Sequence, residues 1–185
     1  MITKARNTLP ARKPRKRENT KDTLYKRHFV LSCFPGFVMI VAAFAFACAP
    51  APQTGNTPKA GSKMPDSIVE PYLKIQTALS QDRIDDVKAN AGQVATAATA
   101  LGAPAMKIDT AAVQLASATE LEDAREKFGV LSDALVTYMD GLKLAPPDGV
   151  RKAYCPMANK PWLQKGDTLA NPYYGSSMLT CGEFQ

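Results

Sequence analysis

Sulfur-bearing side chains gather at the end of this chain. The stretch AYCPMANKPWLQKGDTLANPYYGSSMLTCGEF (153–184) holds Cys155 and Met157, two positions apart, and Met178 and Cys181, three apart. In an extended segment the first pair points to one side of the backbone. One helical turn brings the second pair together. If the pairs converge, two thiolates and two thioethers form a set that selects Cu(I) or Ag(I) over hard cations. Trp162 is available to lie over such a cation, because a ring face attracts positive charge. The competing use of the two thiols is a Cys155–Cys181 disulfide, which would stabilise the fold by roughly 3.5 kcal/mol in the chain-entropy model. Met157 and Met178 would then be gap-filling core residues.

Other chemistry is poorly provided for. The one histidine, His28, stands near the N-terminus, so residues 48–185 offer no imidazole for a triad, a zinc site or general acid–base work. No glycine-rich phosphate loop or metal-hydrolase motif is present. The carboxylates fall on helix faces that read as solvated surface. The expectation is a protein that is not an enzyme. NPYYG (171–175) reads first as a turn; Tyr173 and Tyr174, with Trp162, are candidates for an aromatic recognition surface.

The compartment bears on the sulfur question. The chain has 185 residues and a net charge of +6, but residues 1–27 carry ten Lys/Arg against Glu18 and Asp22, leaving thirteen basic and fifteen acidic residues for 28–185. The basic pI thus belongs to the N-terminal arm. RKPRKR (12–17) could suit nucleic acid, yet the uncharged apolar run FVLSCFPGFVMIVAAFAFA (29–47) follows it. Basic arm, apolar run and small-residue exit form an export signal, 1–47, with the arm on the cytoplasmic side. AFAC (45–48) resembles a lipobox, which makes Cys48 the expected lipidation site. Residues 48–65, rich in Pro, Gly and Thr, read as a flexible tether. The alternative is an uncleaved transmembrane anchor, since nineteen residues can just cross a bilayer. Either way the expected location is the periplasmic side of a bacterial membrane, with no nucleic-acid partner. Cys33 leaves with the signal and Cys48 takes lipid, so Cys155 and Cys181 remain in an oxidising compartment that favours the disulfide.

The elements that must position these groups read as helical. Ser67 and Glu70 have capping-box spacing, followed by Ile68, Tyr72, Ile75 and Leu79 in one stripe. Asp82 is placed to cap a second helix with Ile84, Val87, Ala91, Val94, Ala98 and Leu101 inward and Gly102 as its stop. A third segment runs from Pro104 toward Ala116. Thr119 and Glu122 suggest another capping box, ahead of Leu121, Ala124, Phe128, Leu131, Leu135 and Tyr138, with Gly141 ending the helix. The expected fold is all-α, an antiparallel bundle of about four helices over 66–145, closed by an irregular Cys/Met/aromatic cap over 146–185 with a short extended start at 152–155. The alanine-rich faces provide little apolar bulk, so the cap should be needed to cover them.

The closing motif also carries a resemblance. YCPMA and WLQKGDTLANPYYGSSMLTCGE, with PYLKIQTALSQDRIDDVKANA and AREKFGVLSDALVTYM upstream, resemble a bacterial periplasmic domain of unknown function. That domain is found alone or fused to adaptors of heavy-metal (copper/silver) efflux systems of the resistance-nodulation-division type. The resemblance covers about 120 residues, Asp66 to Phe184. It implies an extracytoplasmic accessory domain connected with transition-metal handling, with Cys155, Met157, Met178 and Cys181 at matching motif positions and an efflux adaptor or another envelope protein as partner. The adaptor's long hairpin and barrel domains have no counterpart here.

Overall fold

A computed structural model describes residues 55–185. The expected export signal, Cys48 and the first part of the expected tether lie outside the described residues. Four α-helices are followed by a small antiparallel sheet: α1 (Asp66–Ser80), α2 (Val87–Leu101), α3 (Met106–Ala116), α4 (Leu121–Leu142), β1 (Val150–Cys155), β2 (Lys160–Lys165) and β3 (Glu183–Phe184). The sheet corrects the all-α expectation: its strand order is β2-β1-β3, with β1 in the centre. The cap is therefore a built layer, and not an irregular one.

The apolar stripes hold. Ile68, Tyr72, Ile75 and Leu79 are fully buried on α1, as are Ala124, Phe128, Leu131 and Leu135 on α4. Val87, Ala91, Val94, Ala98 and Leu101 face inward on α2. The predicted capping boxes do not form. The position before α1 is Pro65 and the one before α4 is Glu120, and neither makes a side-chain cap bond. Ser67 and Glu70 lie inside α1, and Pro71 sits in its second turn. Gly141 is internal to α4, whose stop is Lys143 in the left-handed region (φ 54°). There Leu144 N–H bonds the Met139 carbonyl at 2.8 Å, a six-to-one closure typical of helix ends.

Residues 55–65, expected to belong to the tether, are fastened to the helices. Thr57 Oγ1 donates to the Leu101 carbonyl at 3.0 Å. Met64 N–H donates to the Ala145 carbonyl at 2.9 Å, and the Met64 side chain is buried. Among the described residues no helix is long and apolar enough to cross a membrane.

Candidate functional site

The sheet determines where the first thiol goes. In β1 the register pairs Ala153 with Trp162 and Cys155 with Lys160. Side chains alternate across a strand and cross-strand partners share a face, so Cys155, Ala153 and Trp162 lie on one side. All three are fully buried. Burial takes Trp162 and Tyr173 out of the expected aromatic surface. Trp162 Nε1 donates to Gln164 Oε1 at 3.0 Å, and its ring meets Tyr173 edge-on with centroids 6.0 Å apart. Tyr173 donates its hydroxyl hydrogen to the Pro161 carbonyl and packs on Phe128, which stacks on Tyr72 at 5.0 Å. Tyr72 accepts from Leu163 N–H at 3.1 Å and shares a 2.7 Å bond with Ser132. The four rings thus run from α1 through α4 into the cap, and burial pushes the Tyr72 and Tyr173 phenols up from their ordinary values. Tyr174 alone of the predicted aromatic surface stays half-buried.

The second thiol arrives from the chain's end. Beyond β2 the backbone turns through Asn171–Tyr174, makes a short 3₁₀ turn at Gly175–Met178 and reaches Cys181. Two fixed points hold this path. Gly175 (φ 53°) lies where any Cβ would run into Asp82 Oδ1 and Arg125 Nη2; Asp82, expected as a helix cap, instead pairs with Arg125 and accepts from Ser176 N–H at 3.2 Å. Gly182 (φ 144°) lies where a Cβ would come within 2.6 Å of the Trp162 ring and 2.9 Å of the Tyr154 carbonyl. Only glycine lets the chain cross the tryptophan this closely.

The two cysteines converge on one side chain: Asn171 Nδ2 lies 3.2 Å from Cys155 Sγ and 2.7 Å from the Cys181 carbonyl oxygen. Cys155 and Cys181 are both free thiols. Partial burial first, and then the charge and hydrogen-bonding capacity of the Cys155 sulfur beside it, push the Cys181 thiol above its ordinary range. Cys155 is enclosed and Cys181 is half-exposed, so the pair has an inner and an outer sulfur. Two protein donors aim at the inner one: Asn171 Nδ2 at 3.2 Å and Ala158 N–H at 3.4 Å.

The thioethers are placed differently. The strand ends at Cys155, so Met157 falls in the four-residue β1–β2 turn, 64% exposed. The extended-strand argument for Met157 therefore does not apply. Met178 is half-buried, and its carbonyl accepts from Cys181 N–H at 3.0 Å, in keeping with the one-turn spacing. Among the described residues no group of three or more His, Cys, Asp or Glu is placed to hold a metal ion. An ion at this site would rest on the two thiols with thioether help, a donor set fitting soft monovalent ions and poor for zinc. Sequence reasoning passed over Asn171 as turn chemistry, and its only signal was Asn ten residues before a cysteine.

Compared with known families, curated proteins and solved structures, the chain matches none of them.

Proposed function

We propose that this chain is a membrane-tethered accessory domain of the bacterial periplasmic side. It binds Cu(I) or Ag(I) through Cys155 and Cys181 and buffers the ion for, or passes it to, a heavy-metal efflux system. The observation that carries the metal reading is that two cysteines with free thiols, twenty-six residues apart in sequence, one enclosed and one half-exposed, are held by one buried side chain, Asn171, in a region without histidine. Soft d¹⁰ cations accept two thiolates as a sufficient set, and Met178, one turn before Cys181, is the thioether better placed to add to it than the exposed Met157. The Cys48 lipid anchor and an efflux adaptor as partner rest on the sequence resemblance and the export-like N-terminus.

The same adjacency favours a second reading: a Cys155–Cys181 disulfide closing the cap of a non-metal interaction module that docks an envelope partner. Competition titration of the reduced full-length protein against a Cu(I) chelator tests the first. Cys155→Ser and Cys181→Ser should each weaken binding severely, Met157→Leu and Met178→Leu less, and Zn(II) should compete poorly. Wild-type affinity in all four variants would refute the site. Counting alkylated thiols by mass in protein quenched directly from cells tests the second: a permanently joined pair would decide for the disulfide.

A further inference from the structure

The Cys155 and Cys181 segments come from opposite ends of the cap, and one side chain bridges them. We propose that Asn171 is the positioning residue of the two-thiol site: one amide hydrogen is directed at the Cys155 sulfur and the other at the Cys181 carbonyl. This inference rests on the soft-metal reading above and names what makes the two cysteines act as one site.

Asn171 is fully buried. Its Nδ2 stands 3.2 Å from Cys155 Sγ and 2.7 Å from the Cys181 carbonyl oxygen. Its Oδ1 accepts Tyr173 N–H at 2.8 Å, which fixes the orientation of the amide. Flipped, the oxygen would face a carbonyl and a sulfur while the NH₂ group faced an N–H. The backbone is pinned as well: Asn171 N–H donates to the Leu179 carbonyl at 2.7 Å, and its own carbonyl accepts Gly175 N–H at 3.1 Å. Four of these bonds shape the loop that carries Cys181, and the fifth, Nδ2 to Cys155 Sγ, ties that loop to the strand that carries Cys155.

The chemistry follows from where the charge goes. A thiolate bound to a soft cation keeps negative charge on sulfur, and in an enclosed site that charge needs fixed donors. Asn171 supplies one without competing for the ion, since an amide NH₂ is no ligand. Outer-shell donors of this kind typically account for about 10- to 100-fold in metal affinity.

The test compares wild type with N171D, an isosteric change that removes both N–H donors, in Cu(I) competition titrations of reduced full-length protein. Wild type should bind Cu(I), and N171D should bind it about 10- to 100-fold more weakly. Equal affinities overturn this inference and leave the metal site standing. Absence of Cu(I) binding in wild type overturns the metal site and the inference with it. A second measurement on wild type alone guards against a folding defect in N171D. In ¹⁵N-labelled protein, Ag(I) addition should move the Asn171 side-chain amide protons, because their acceptor sulfur becomes a ligand. Unmoved Asn171 signals in the Ag(I)-loaded protein overturn the proposal, and a purely structural asparagine would give that result.

Discussion

Two regions of this small core are built on opposite plans. On α2 and α3 small side chains dominate the buried face: Ala91, Ala95, Ala98, Ala111 and Ala112 are buried beside Val87, Val94, Leu101, Ile108 and Leu115. Where α1 and α4 meet the cap, the contact is made by rings, Tyr72, Phe128, Tyr173 and Trp162. Small side chains let helices approach closely but remove little apolar area each, whereas each aromatic buries about 150–250 Å². The difference locates the stability of the domain at the helix–cap junction. It also fits the position of the two cysteines: the largest fully buried side chains, Trp162, Tyr72 and Phe128, lie in the part that holds two cysteines from distant segments.

The largest expected effect tests the aromatic side of that contrast. Trp162→Ala and Phe128→Ala should each cost about 3–5 kcal/mol in denaturant melts, since both side chains have no exposed surface. A cost near zero for either would remove the contrast. On the methyl side, cavity formation is not the danger, but overfilling is. Ala98→Leu should cost about 1–3 kcal/mol because the close approach leaves no room for three more carbons; a neutral or stabilising result would mean that α2 and α3 are loosely packed.

A smaller effect belongs to the link between the two regions. Gly175→Ala should cost about 1–2 kcal/mol for the left-handed backbone, and it should also release the Asp82–Arg125 pair that its Cβ would displace. Unchanged stability would show that the pair yields freely. The smallest effect is one of pH. Hydrogen bonds from Ser176, with Arg125 beside it, hold the Asp82 carboxyl below its ordinary value. A depressed folded-state value contributes stability that is complete above the unfolded carboxylate range, near about pH 4, and lost as pH falls below it. Asp82→Asn should therefore lower stability at neutral pH and flatten the acid limb, so that the variant and wild-type curves converge at low pH. An identical acid limb in the variant would contradict that assignment.

Legibility followed the same division. The helices were readable because their stripes repeat at 3.6 residues: Ile68, Tyr72, Ile75 and Leu79 needed no tertiary information. Their caps were not readable. Ser67/Glu70 and Thr119/Glu122 have the right spacing but fall inside or beside helices whose ends are set by Pro65 and Glu120. The sheet was hidden for a physical reason: in β2 the consecutive residues Trp162, Leu163 and Gln164 are all buried, so no polar alternation marks a strand. Its β1 partner was glimpsed only as a short extended start, and β3 has two residues. At the site, residue type identified Cys155 and Cys181, while Met157 was misplaced because the strand stops at Cys155, two residues short of it. Asn171 was invisible because its role consists of contacts to residues ten and sixteen positions away.

The central claim is that Cys155 and Cys181 together bind a soft monovalent cation, and X-ray absorption at the copper edge of the Cu(I)-loaded full-length protein tests it most directly. The account predicts a first shell of sulfur only in wild type, with sulfur lost from that shell in Cys155→Ser and in Cys181→Ser. A shell containing nitrogen or oxygen in wild type, or a spectrum unchanged in both serine variants, would contradict it.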